Sequence, residues 1–255
     1  MRQVTLLCSL ALSLSCFAVL EATPAAQGRA KAAPRLLPLD CFVLDFETDD
    51  DGAAMPHGAM VDLEYDCNGP VFPIAIAGSV NTSAQDTLAI FDSNVGPTGT
   101  DPDLLVGKGN ILILQNDSNL SQCPPSSGVY CSHNDDGEGG TITFMFCVPA
   151  RPSSIVLIDQ DLTNVTGSSV VLTDVNGKTR TYSVPTNWTG DMVEDFPEPG
   201  WKVLDFTTLA DQPGFSGPAT ASEQPGFDPN AVVTLAVTFS GSGGIDDLSW
   251  CQPIW

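Results

Sequence analysis

The sequence predicts an all-β fold, a two-sheet antiparallel β-sandwich of jelly-roll type, and three observations carry that prediction. Apolar residues alternate with polar ones at a period of two in many short segments. Helical periodicity is nearly absent. Gly 23 and Pro 20 place turn residues about every ten positions. An immunoglobulin-like sandwich is the alternative for the same pattern. Element by element, Phe42, Leu44 and Phe46 fall on one face of a strand and Val43, Asp45 and Glu47 on the other. Ile111 to Leu114, Ile142 to Phe146, Ile155 to Ile158 and Val232 to Phe239 repeat the strand signature. Val170 to Thr173 and Thr179 to Val184 flank Asp174-Val175-Asn176-Gly177-Lys178, where Asn176-Gly177 reads as the two positive-φ residues of a tight hairpin turn.

Ahead of these strands, Met1 to Ala22 reads as a secretory signal peptide. Arg2 gives the positive start, Val4 to Leu20 is almost uninterrupted apolar sequence, and small residues follow at Ala22, Ala25 and Ala26. The run is broken by Ser9, Ser13 and Ser15 and falls short of the ~20 residues that span a bilayer. Thr23 to Leu39 is Ala/Pro-rich and reads as a linker or pro-segment. Residues 40–255 show no composition shift and no internal repeat, so a single β-sandwich domain is expected. No later apolar run reaches bilayer length, so the mature chain is expected to be soluble and secreted with no membrane span.

Lys and Arg number 9 against 31 Asp and Glu, a net charge of −22, which excludes a nucleic-acid surface. Charged residues are 16% and apolar ones 42%, enough to bury a core. Once Cys8 and Cys16 leave with the signal, Cys41, Cys67, Cys123, Cys131, Cys147 and Cys251 remain, and an even count in an oxidising compartment predicts three disulfides. Cys123 and Cys131 enclose a Pro/Ser/Gly loop and form the easiest local pair; Cys41 and Cys251 bracket the domain and can join if its ends are adjacent. Thiolate-zinc chemistry is disfavoured, because no CxxC pair exists and His57 and His133 are the only histidines. Glycosylation sequons begin at Asn81, Asn116, Asn119, Asn164 and Asn187, and each must face water if it carries a glycan.

Two acidic clusters hold the candidate chemistry. In Asp45-Phe46-Glu47-Thr48-Asp49-Asp50-Asp51-Gly52 an extended backbone projects Asp45 and Glu47 from one side about 7 Å apart, and the turn beyond can fold further oxygens inward. Such convergence suits calcium, a hard cation taking about six to eight oxygens. An EF-hand is rejected, since aligning Gly52 with the loop's glycine puts Gly58 where the bidentate Glu belongs. In Gly243-Gly244-Ile245-Asp246-Asp247-Leu248-Ser249-Trp250, strand alternation points Asp246 the way of Leu248 and Trp250. A carboxylate buried there needs a metal or amide donors, cations being few. Solvated acidic turns are the plain alternative for both clusters.

Asp45-Phe46-Glu47 and Gly244-Ile245-Asp246-Asp247-Leu248 resemble the terminal motifs of MAM domains and of galactose-binding-like carbohydrate-binding modules. That resemblance implies a jelly roll whose first and last strands lie side by side and share a structural calcium. It makes Glu47 and Asp246 the best matched ligands, with Asp45 and Asp49 as companions; Asp247, beside Asp246, is a further candidate metal ligand. The middle of the chain, through Ile90-Phe91-Asp92-Ser93, Asp101-Pro102-Asp103-Leu104, Gly109 to Leu114 and Asp135 to Gly140, resembles an uncharacterised secreted module. Asp101, Asp103, Asp135 and Asp136 are a possible second cation or sugar-hydroxyl site, against the plainer reading of solvated turns. Trp188 and Trp201 are the candidate sugar-stacking rings, against the plainer reading of packing residues.

No GxSxG elbow, P-loop, dinucleotide fingerprint or helix-borne zinc motif occurs. The expectation is therefore a non-catalytic, calcium-stabilised module that binds an extracellular glycan or matrix component. A secreted carbohydrate-active hydrolase or lyase on the same fold, and an acidic structural protein of a wall or matrix, are the alternatives.

Overall fold

A computed structural model describes residues 39–62, 64–67, 71–81, 87–94, 102–116, 120–160, 167–191 and 197–253. The signal peptide, the linker up to residue 38, Asp101, Asn119 and Asn164 lie outside the described residues. Eleven strands follow one another: β1 (Leu39–Leu44), β2 (Ile74–Val80), β3 (Leu88–Asp92), β4 (Asn110–Leu114), β5 (Gly140–Ile158), β6 (Ser168–Asp174), β7 (Thr179–Val184), β8 (Trp201–Asp205), β9 (Thr220–Glu223), β10 (Val232–Phe239) and β11 (Gly244–Pro253), with one 3-10 turn at Pro102–Leu104. Every strand pairing among the described residues is antiparallel, and no α-helix occurs among them. The chain is all-β, as its alternation predicts; the strand order goes no further towards jelly-roll winding.

The long strand β5 organises the rest. Its first half pairs with β2 and β10, extending through β6 and β7 to β9; its second half pairs with β11 and β8, extending through β4 to β3. Pro149 and Pro152 fall at the changeover. Proline carries no N–H, so the ladder is interrupted where the strand leaves one set of partners for the other. Side chains from both halves fill one core: Ile76, Phe144, Leu172 and Leu235 from the first, Leu112, Leu157, Leu248 and Trp250 from the second. A smaller cluster of Phe91, Ile111, Ile113, Val156 and Ile158 lies on the other side of the second half, under Leu104, Val106 and Tyr130. That second cluster explains why β4 is buried at every position.

The terminal strands pair in the register Leu39↔Pro253 to Leu44↔Leu248, and Leu39, expected in the linker, already belongs to β1. Adjacent ends let Cys41 join Cys251; Cys123 joins Cys131, and Cys67 joins Cys147. The hairpin β6–β7 is where expected, but its turn differs. Gly177 alone has positive φ (71°), and Asn176 does not share it. Asp174 is the reason: its Oδ1 accepts from Asn176 N at 2.8 Å and Lys178 N at 2.9 Å, shaping a three-residue loop with glycine at the left-handed position.

The disulfide Cys41–Cys251 spans a sequence separation of 210. Chain-entropy reasoning puts its contribution at about 3–5 kcal/mol. A Cys41→Ser/Cys251→Ser double variant is expected to lower the guanidinium unfolding midpoint under non-reducing conditions, with a steeper slope as the unfolded chain expands; an unchanged midpoint refutes that.

Candidate functional site at the junction of the terminal strands

Strand β1 ends at Leu44, and the chain turns immediately. Asp45 Oδ1 accepts from Glu47 N at 3.2 Å, and Phe46 takes a φ of 58°, a left-handed conformation rare for a bulky side chain. Burial holds it there: the ring is fully enclosed and meets Tyr65 edge-on at 6.2 Å. Asp45 and Glu47 are exposed as the alternation predicts, but they follow a turn instead of sharing a strand face. Glu47 Oε1 accepts from Asn110 N at 3.0 Å, while Asn110 Nδ2 donates to Phe46 O at 3.2 Å and Met55 O at 2.9 Å. The neighbouring Gly109, at φ 86°, leaves room for this; a Cβ there would fall 2.2 Å from Glu47 Oε1. Asp49 is turned away, its Oδ1 accepting from Asp51 N at 3.0 Å and Ala53 N at 2.7 Å.

On β11 the expected direction of Asp246 is corrected. The register against β5 shifts between Asp246 and Ser249, and Asp247 has φ 47°, so one extra residue bulges there. A bulge reverses side-chain parity. Ile245, opposite Leu157, shares the main core with Leu248 and Trp250, whereas Asp246, opposite Val156, takes the face of the second cluster. Asp246 is nevertheless buried, at 2% exposure, and its Oδ1 has no hydrogen-bond partner among the described residues. Burial pushes its carboxyl up to about 7, the adjacent Asp247 charge adding to the effect.

A lysine, not anticipated from the sequence, stands over this carboxylate. Lys108 Nζ lies 2.6 Å from Asp247 Oδ2, 3.6 Å from Asp246 Oδ2 and 4.7 Å from the centre of the Trp201 ring. Burial alone would lower the Lys108 pKa, but Asp247 and then Asp246 hold it above its ordinary value. The only sequence cue was composition, since a chain short of cations seldom leaves one idle in an acidic neighbourhood. Among the described residues no three His, Cys, Asp or Glu side chains converge to hold a metal ion.

Other expected site residues sit elsewhere. Trp188 is a packing residue: it is 1% exposed, donates from Nε1 to Gln212 O at 3.2 Å and lies against Gly214, where a Cβ would meet its ring at 1.8 Å. Trp201 packs against the second cluster with the Lys108 ammonium near its ring. Asp135 and Asp136 are buried, at 2% and 4%. Asp135 Oδ2 accepts from Gly243 N and the Ser242 hydroxyl, and Asp136 Oδ1 accepts from Glu138 N at 2.8 Å. Asp103 sits apart in the 3-10 turn. Asn81 is exposed and Asn116 half-buried, but Asn187 is 3% exposed with Trp188 and Thr189 buried beside it, which removes that sequon as a glycan carrier. Among the described residues no helix is long and apolar enough to cross a membrane.

The two histidines meet, which no local motif announced. Their rings cross at a centroid distance of 4.0 Å and 63°, closer than two imidazoles sharing one tetrahedral metal ion. His57 Nδ1 accepts from Asp92 N at 2.8 Å. His57 Nε2 is buried without a hydrogen-bond partner among the described residues, and His133 is buried beside it against the Tyr130 backbone. Burial, then the His133 charge, lowers the His57 pKa to about 4, and burial lowers that of His133.

No family model matches the chain, and no curated protein matches it.

The histidine pair fixes the sign of one pH effect. Both side chains are more basic unfolded, near 6.5, than folded, so protons bind preferentially to the unfolded chain between pH 6.5 and about 4. Stability is therefore expected to fall on acidification across that window. In a His57→Gln/His133→Gln variant the stability difference from the parent should move in the variant's favour as pH drops from 7 to 4. A difference independent of pH in denaturant titrations would contradict the assignment.

Proposed function

We propose that this chain is a secreted, non-catalytic module that binds an extracellular glycan or matrix component, with calcium stabilising the junction of its terminal strands. The supporting observation is that junction: β1 and β11 are paired, and they bring Asp45 beside Asp246 and Asp247 where one buried carboxylate oxygen lacks a partner. Pairing of first and last strands around acidic groups is what the resemblance to MAM and galactose-binding-like modules implies. Three disulfides accord with an oxidising, extracellular setting.

The donor chemistry suits calcium in part. Asp45, Asp246 and Asp247 are the carboxylates nearest the corner; among the described residues they do not converge into a formed ligand set, so an ion would have to draw them together. With Lys108 opposed to them they leave a local charge that a divalent cation balances, and the ion would keep Asp246 ionised despite its burial. Asp45, Glu47 and Asp49 each have one oxygen engaged by a backbone N–H, and of the three Asp45 is the one whose charge acts on Asp246. Lys108 is the competitor, because its ammonium already occupies the acidic pair.

That competition makes the metal testable. A ligand held only by the folded state adds RT ln(1 + [L]/Kd) to stability, so millimolar calcium is expected to raise the melting temperature relative to chelator. Lys108→Met is expected to lower stability by about 1–3 kcal/mol in chelator and to widen the calcium-dependent rise. Equal melting temperatures with calcium and chelator, in both proteins, would remove the ion. For the ligand, binding to a glycan or matrix array with no release of reducing ends from polysaccharides is expected. Turnover would favour the hydrolase or lyase reading, and an array without binding would remove the module reading.

A further inference from the structure

Resting on the glycan-binding reading, we infer that the sugar site lies away from the junction, in a cavity of about 300 Å³ between β5, β7 and the segments that follow β8 and β9, and that it takes one neutral, hydroxyl-rich pyranose unit. The volume is at the lower end of the range for ligand pockets, about 300–1,000 Å³, and suits a single ring better than a chain. Arg151, Pro152, Arg180, Thr207, Pro229 and Asn230 line it.

Arg180 is the rigid part. At 7% exposure it is fixed through Nε on Glu223 Oε2 at 2.8 Å and Nη1 on Phe206 O at 2.7 Å, with Nη2 also on Glu223 and the Phe227 ring 4.9 Å away. A guanidinium has five N–H donors and Tyr182 is hydrogen-bonded to this one as well, so one remains to be offered. Arg151 is exposed and, among the described residues, has no carboxylate partner, whereas Lys108, Arg180 and Lys202 all do. In a chain of net charge −22, two guanidinium groups on one small cavity are a concentration of a scarce group.

The remaining polar groups decide the ligand's charge. Thr207 Oγ1 donates to Asp205 Oδ1 at 2.6 Å and keeps its lone pairs free; Asn230 Nδ2 donates to Asp228 Oδ1 at 3.3 Å and keeps its carbonyl. The cavity therefore offers N–H donors from Arg151 and Arg180 and acceptors from Thr207 and Asn230. A hydroxyl donates and accepts, and uses both; a carboxylate or sulfate only accepts. Glu223, Asp205 and Asp228 stand beside the cavity and, with the net charge, further disfavour an acidic sugar. Pro229, half-buried, supplies an apolar face for the ring's C–H surface, while Pro152 is buried in the wall behind it. A larger hollow of about 420 Å³, lined by Ser168, Ser169 and Ser183 with prolines and valine, has no guanidinium or amide side chain to fix an orientation.

The test uses the secreted, isotope-labelled protein, titrated with methyl glycosides of glucose, galactose and mannose and with glucuronate. At least one neutral glycoside is expected to shift the amide signals of Arg151, Thr207 and Asn230. Arg151→Ala and Asn230→Ala, both at exposed positions that leave the circular dichroism unchanged, are expected to weaken it about ten-fold each. Tighter binding of glucuronate, perturbation confined to other residues, or unweakened binding by both variants would overturn the cavity assignment while glycan binding on the array stood. Loss of array binding altogether would overturn both readings.

Discussion

The antiparallel pairing of β1 with β11 is the constraint on which the rest of this structure depends. It sets Leu44 opposite Leu248, closes the Cys41–Cys251 disulfide, and obliges two acidic motifs to share one corner of the molecule. Like charges brought together at a sheet end are unfavourable. The fold answers in two ways. It ends β1 at Leu44 and turns at Phe46, leaving Asp45 and Glu47 in solvent, and it bulges β11 at Asp247, sending Asp246 away from the main core towards Lys108. Without the bulge, strand alternation would place either Asp247 beside Ile245 or Asp246 beside Leu248 and Trp250 in the main core.

What was legible in the sequence was whatever depends on periodicity and on chain ends. Alternation found Phe42–Leu44, β6, β7 and β10, and the spacing of Cys123 from Cys131 found the local disulfide, because period two and short loops are local properties. The direction of Asp246 was not legible. Parity counting assumes a regular strand, and one extra residue at a non-glycine position inverts it without any sequence marker. The hairpin turn was misread for a related reason: Asn-Gly satisfies two turn geometries, and the carboxylate of Asp174, a residue outside the pair, selects between them. Trp188, Asn187 and the histidine pair depend on contacts between segments far apart in the chain, which composition and spacing do not encode.

Cation scarcity gives these long-range contacts a common logic. The described residues include only Lys108, Arg151, Lys178, Arg180 and Lys202 as permanent cations. Lys108 neutralises the terminal corner, Arg180 neutralises Glu223 while tying β7 to Phe206, and Lys202 pairs with Glu198 four residues earlier. The first two join distant segments, and Lys108 also secures a buried carboxylate; the Lys202 pair is local and half-exposed. An exposed pair at a surface contributes about 0–1 kcal/mol, but a cation over a carboxylate at 2% exposure guards against a desolvation cost several times larger. Placement, more than number, is what a chain this acidic requires of its lysines and arginines.

The terminal corner and the arginine-lined cavity are joined by one ladder. Strand β11 sets Asp246 opposite Val156, Trp250 opposite Pro152 and Cys251 opposite Arg151, so the same two strands carry a junction residue at one end and a cavity residue at the other. Cys251 is also the residue that the disulfide ties to β1. The Arg151 backbone is held by a paired strand, a flanking proline and a covalent cross-link on the opposite residue, the support that the proposed sugar site would require. A cation at the corner, whether lysine or metal, would then serve recognition indirectly, by holding the strand on which the cavity is built.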